Sequence, residues 1–347
     1  MVAYQLRHQL WFHEQTEKLT NDQTDLMQSQ TDLDDFYQLQ KLQFTAVLAG
    51  RANFLNTTTE AQLQKLKKQF LENNGKDKNV YKLLYKNVCQ LHLSGKVADY
   101  YELKAKVVAH FSFLSKDHQI NLLVHLVNFV IQYRLSKTGL GERDIFELYQ
   151  LGVQHQLFLQ KGKMRDIEFT NICIAGFLLG ETDWTERFII EQGGYLPIEK
   201  QAIVLPFVQA YGAFFSGNYE KVIELLRQVL PDHQLTYYCR IKSLLIRAYF
   251  KCVLYNIGTY ERSLPYELEA FKKLMERNKK NTAIRTKAYL NFIGIVKKMT
   301  SLLMITNNRK PTVKKIQKAL NKTKPIIFKS WLVEQLNELK EVAPKQM

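Results

Sequence analysis

The chain has 347 residues, with 49 Lys and Arg against 33 Asp and Glu, 46% hydrophobic residues and 24% charged ones. That length exceeds the roughly 250–300 residues at which one compact core stops growing, so it calls for two domains or an array extended by stacking. Its 15 Gly and 7 Pro are too few for the many turns of an all-β chain, and its Leu, Lys, Gln and Glu favour helix.

In chain order, Leu6, Leu10 and Trp11 suggest a first helix, followed by a turn at Asn21 and Asp22. Thr31 with Asp34 has capping-box spacing, and Leu33, Phe36, Leu39 and Leu42 continue a helical stripe to about residue 54. The Asp32, Asp34 and Asp35 group lacks the Gly and Glu of a calcium loop and reads as charge at that helix's N-terminus. A helix over 60–72 precedes a polar loop at 73–77, and helices over 80–93, 97–114 and 117–135 follow. The last of these carries Ile120, Leu123, Val124, Val127, Val130 and Ile131 on one face and Leu122, Leu126, Phe129 and Tyr133 on another. A helix apolar on two faces is expected to be covered on both.

That helix keeps one polar stripe: Asn121, His125, Asn128 and Gln132, at offsets of four, seven and eleven. Two readings stand. The stripe lines an inner surface and hydrogen-bonds a peptide, or it is simply the helix's wet face.

Further helices are expected over 142–160, 166–179, 184–192, 197–215, 219–230, 236–254, 263–277, 283–304, 311–320 and 328–341. Pro265 falls in a first turn, where its missing N–H costs nothing. No segment reads convincingly as a strand. Short turns between successive helices imply antiparallel neighbours, and a long series of them is the pattern of a solenoid. The expected fold is therefore all-α, a right-handed α-solenoid of antiparallel helical hairpins. The chain reads as a single helical-repeat domain, with N-terminal helices over 1–75, hairpins over 76–304 and basic capping helices over 305–347.

The stretch AYGAFFSGNYEKVIELLRQVLP at 210–231 resembles the second half of a tetratricopeptide (TPR) unit. In that likeness Gly217 takes the inter-helix turn, where a side chain would clash, and Tyr219 packs back on the first helix. Val222, Leu226 and Val229 take the small and apolar positions of the second helix, and Pro231 closes it. Val222 stands where the family prefers Ala, and Pro206 where it has a large aromatic. A degenerate second copy at 175–197 puts Gly180, Trp184 and Pro197 in similar roles, with Arg187 in the small-residue slot. Starts near 80, 117, 166, 198, 235 and 283 do not keep the 34-residue period, so the chain is TPR-like with degenerate repeats. Over 80–304, including AFKKLMERNKKNTAIRTKAYLNFIGIVKKM, it is similar to uncharacterised bacterial members of that superfamily. The resemblance implies partner binding on a concave helical surface and names no activity.

Charge is segregated. Residues 271–347 hold 19 Lys and Arg, 4 Glu and no Asp, while the first 270 residues hold 30 basic and 29 acidic groups. Lys287, Asn291 and Lys298 follow one face of a helix, Lys314, Lys318 and Lys322 are four apart on the next, and Lys279-Lys280 lie in a loop. Such a face either binds something acidic, with nucleic acid among the candidates, or is a solvated surface. Tyr289, Phe292, Phe328 and Trp331 fall nearby, on apolar faces that suit the core better than base stacking.

Signs of catalysis or cofactors are missing. Cys89, Cys173, Cys239 and Cys252 are too far apart for a CxxC pair and sit in apolar stretches, as reduced buried thiols do. The histidines show no HExxH spacing. Gly75-Lys76, Gly95-Lys96 and Gly162-Lys163 lack the rest of a phosphate loop, Gly139-Leu140-Gly141 follows a helix rather than a strand, and there is no GxSxG elbow. Arg7, His8, Gln9 and Glu14 break any signal-peptide core at residues 1–18, and 120–135 is too short and too polar to span a bilayer. The Asn56-Thr57-Thr58 sequon then has no role. The expectation is a cytoplasmic, non-enzymatic scaffold that needs no cofactor or metal and binds a protein or peptide, acidic ones among the candidates, on a concave surface. The alternative is a nucleic-acid-binding accessory protein using residues 271–347.

Overall fold

The structure is a computed structural model that describes residues 24–55, 65, 68, 79–133, 139–229, 235–278, 283–303 and 309–342. The expected first helix, the turn at Asn21 and Asp22, most of the 60–72 helix, the 73–77 loop, Pro231, Lys279 and Lys280 lie outside these residues. Among the described residues the protein is all-α apart from two strands of two residues each, Leu159–Gln160 and Lys163–Met164, which the sequence did not signal. None of the described helices is long and apolar enough to cross a membrane. The contacts divide the chain into two compact units, Met1–Gln160 and Lys161–Met347.

The first unit holds α1 (Thr24–Leu55), α2 (Val80–Ser94), α3 (Val97–His110), a 3-10 turn (Phe111–Phe113), α4 (Lys116–Tyr133) and α5 (Glu142–Gln154). Asn79 caps α2, its side chain accepting from the Tyr81 N–H at 2.9 Å, and Gly95 ends it at φ +64. Both ends are thus set by residues suited to them, an Asn cap and a left-handed Gly. α1 packs on α2 and α4, α2 on α3 and α4, and α4 on α3 and α5. Leu84, Val88, Tyr100, Leu103, Leu122, Leu126 and Phe129 form its fully buried centre. Tyr100 and Phe129 stack there at 5.8 Å.

Several expectations for this unit change. Thr31 caps no helix: α1 starts seven residues earlier, and the Thr31 hydroxyl donates to the Met27 carbonyl one turn back at 3.0 Å. The Asp group is then mid-helix rather than N-terminal, and Asp35 instead pairs with the buried Lys82 at 2.6 Å. The 142–160 helix stops at Gln154, because Gln156 turns left-handed at φ +55 and the Leu157 N–H bonds back to the Gly152 carbonyl at 2.9 Å. Val124, assigned to an apolar face expected to be covered, is 50% exposed.

The second unit holds α6 (Asp166–Leu178), α7 (Thr182–Gln192), α8 (Ile198–Phe215), α9 (Tyr219–Arg227), α10 (Leu235–Tyr255), α11 (Ser263–Arg277), α12 (Ala283–Leu303), α13 (Arg309–Lys322) and α14 (Lys329–Val342). From α6 to α7 and from α8 to α14 each helix packs on its successor, and α6, α8, α10, α12 and α14 also pack on one another in sequence. Every residue from Ser243 to Cys252 on α10 is buried. Two of these are cations. Arg247 lies 4.5 Å from the Phe328 ring and 4.9 Å from Phe214, and Lys251 meets Glu338 at 2.8 Å.

Three helices of this unit end in the same way. The Gly217 N–H bonds to the Phe214 carbonyl at 3.2 Å and the Asn218 N–H to Ala213 at 2.8 Å. Gly180 and Glu181 repeat this with Phe177 and Gly176, and Asn256 and Ile257 with Val253 and Cys252. This is the paired closure of a Schellman turn, which needs a left-handed residue. Gly180 (φ +75), Gly217 (φ +80) and Asn256 (φ +55) supply it, spaced 37 and 39 apart. The expected reason for Gly217 changes accordingly. A Cβ built there meets nothing within 4 Å, so backbone conformation rather than a clash selects glycine.

Tyr219 packs on Phe214 of the preceding helix at 5.5 Å, as expected. Trp184 stacks on Phe188 of its own helix at 5.4 Å. Val222 and Leu226 are buried. Gly217→Ala is expected to lower unfolding stability by about 1 kcal/mol, and Asn256→Gly to leave it within a few tenths. Urea midpoints measured at constant m-value check both.

Candidate functional site

The polar stripe of α4 opens into a groove of about 510 Å³ within the first unit. Val47, Gly50 and Arg51 of α1, His92 of α2, and Asn121, Val124, His125, Asn128 and Gln132 of α4 line it. All four stripe residues named from the sequence are therefore brought together on one surface. Val47, Gly50, Arg51 and His92 carried no sequence signal, because they come from helices whose register against α4 only packing sets.

Gly50 lets α1 approach closely. A Cβ there would lie 3.2 Å from Nε2 of His92, tighter than ordinary side-chain contact. Beneath it, His92 Nε2 and His125 Nδ1 are 3.0 Å apart. One ring nitrogen must donate and the other accept, which suits two neutral imidazoles. Burial lowers the His92 pKa to about 3, with His125 adding to the shift. Burial likewise lowers His125 to about 4.

Beyond Asn121 the polar chain continues. The Tyr85 hydroxyl lies 3.1 Å from His118 Nδ1, and Gln43 donates to the same nitrogen at 3.4 Å. Burial raises the Tyr85 pKa to about 12, against hydrogen bonds from Gln43 and Asn121. The groove near pH 7 is thus uncharged except for Arg51 at its edge. It offers carboxamide donors and acceptors beside Val47 and Val124. From Asn121 to Gln132 it follows α4 for about 16 Å at 1.5 Å per residue, the reach of roughly five extended residues.

The remaining predicted residues lie elsewhere. Lys287 and Lys298 on α12, and Lys314, Lys318 and Lys322 on α13, are all exposed. Asn291, expected on the same face as Lys287, instead donates to the Pro325 carbonyl at 2.7 Å and holds the α13–α14 connection. Tyr289, Phe292 and Trp331 are buried. A second hollow of about 620 Å³ in the second unit includes Phe177, Glu186, Ile190, Gly212 and Lys221, none of them a predicted binding residue. The four cysteines are buried and unbridged. Among the described residues no group of three or more His, Cys, Asp or Glu is placed to hold a metal ion.

Unfolded histidine titrates near 6.5, and both rings titrate well below that when folded. Acid therefore protonates the unfolded chain first. The pair's contribution is complete above pH 6.5 and is lost as pH falls toward 4. At pH 5 the difference is of order 1–2 kcal/mol per ring. Urea unfolding between pH 7 and pH 4.5 should show a shallower loss of stability for His125→Gln than for the wild type, and parallel curves would remove the pair from the account.

No protein-family model, curated protein or solved structure matches this chain.

Proposed function

We propose that the protein is a non-enzymatic, cytoplasmic interaction scaffold that holds an extended protein segment in the α1–α2–α4 groove. In this reading each unit is built from antiparallel hairpins of degenerate TPR-like repeats, coiled as a right-handed α-solenoid. The recurrent turns at Gly180, Gly217 and Asn256 and the succession of contacts along α6, α8, α10, α12 and α14 support it.

One observation carries the functional part. Asn121, His125, Asn128 and Gln132 stand in line along the apolar middle of α4 and all line one groove, where His125 also bonds to His92 of α2. A peptide backbone has one donor and one acceptor per residue, and carboxamides match both. Val47 and Val124 add apolar contact, which favours small uncharged side chains in the partner.

Peptides selected from a random library against the full chain test this reading. They should compete with one another and lack dense charge. Val124→Glu should weaken them at least tenfold and Asn128→Ala about threefold, with the melting temperature unchanged. Selected peptides indifferent to both substitutions would place binding outside this groove and end the proposal.

A further inference from the structure

The basic C-terminal region holds charge in an arrangement that its own helices disfavour. α13 has six cations and no anion, and no acidic residue in its first turn. No carboxylate of the first turn therefore offsets the positive end of the helix dipole, although Lys322 in the last turn lies at the end that favours a cation. Lys314, Lys318 and Lys322 recur one turn apart, where like charges repel along a helix. Val313, Ile316 and Leu320 are buried on the opposite side, so packing holds these lysines outward in a row. Together with Lys315 they are exposed, and none forms an ion pair among the described residues.

Lysines elsewhere are mixed: some, such as Lys96 and Lys116, are also unpaired among the described residues, while others are not. Lys82, Lys106, Lys221, Lys242 and Lys251 each meet a carboxylate within 3.0 Å. A merely solvated surface needs no such separation, since interspersed charges of both signs serve it.

We infer that the α13 face, with Lys314, Lys315, Lys318 and Lys322, is a binding surface for the phosphate backbone of double-stranded nucleic acid, independent of base sequence. The row recurs every 6 Å or so, and a duplex presents one negative charge per 1.7 Å of axis or so. The burial of Tyr289, Phe292 and Trp331 points away from single strands, whose binding draws on exposed aromatic platforms. Lysine acts here as a point charge, without the bidentate fork with which arginine reads guanine.

Fluorescence anisotropy with the full chain and a 25-base-pair duplex of arbitrary sequence, between 50 and 200 mM salt, tests the inference. The expected result is a log–log salt slope of roughly −3 to −4, little change on scrambling the sequence, and weaker binding to either single strand. Replacing Lys314, Lys318 and Lys322 by Gln should bring the slope to roughly −1, while replacing them by Arg should keep binding; equal melting temperatures exclude misfolding. No binding at 50 mM salt, an unchanged slope in the Gln variant, tighter binding to a single strand, or preference for polyglutamate or anionic vesicles would each overturn it. These outcomes are independent of the groove on α4.

Discussion

The all-round burial of α10 is the constraint around which the second unit is arranged. A helix with a polar side can rest on one neighbour, whereas one buried from Ser243 to Cys252 must be enclosed. It is, by α8, α9, α11 and α12. Enclosure has a consequence for the two cations it traps. Arg247 is accommodated by π faces and the Tyr211 hydroxyl at 3.3 Å, Lys251 by the Glu338 carboxylate and the Tyr255 hydroxyl. Removing one partner of a buried ion while keeping the other costs far more than the pair contributes. Phe328 and Glu338 therefore tie α14 to α10 by requirement as well as by packing.

α4 in the first unit meets the same demand and answers it incompletely. Leu122, Leu126 and Phe129 are buried, yet Val124 is not. The polar stripe interrupts what would otherwise be continuous cover, and α1 comes close beside it at Gly50, against His92, and at Gln43, which reaches His118. The groove is the space that this partial enclosure leaves. Its two histidines are neutral because burial opposes their charge, so the surface combines hydrogen-bonding capacity with little net charge. The basic face of α13 is the converse, with high charge and no polar enclosure.

Helices were legible because their signal is local. The 3.6-residue stripes and the Gly and Pro breaks act within one or two turns, and most predicted boundaries fall within a few residues of those observed. The errors share a cause. Thr31, the 142–160 helix and the Asp group were read from local rules, but α1 runs on through its apparent cap, with Thr31 bonding back to Met27, and Gln156 takes a left-handed turn that no glycine marks. The third Schellman turn was hidden for the same reason, with Asn256 in place of glycine.

Sequence alone determined the helical class, the polar stripe on α4 and the segregation of charge into the last 77 residues, since each depends only on residue type and spacing. Tertiary structure decided which of those features became surfaces. It added His92 and Gly50 opposite the stripe, assigned Asn291 to the Pro325 carbonyl, and buried Tyr289, Phe292 and Trp331 beside the lysines. Those outcomes depend on how helices far apart in the chain register against each other, and that register comes from side-chain interlocking across the interface rather than from the periodicity of either helix.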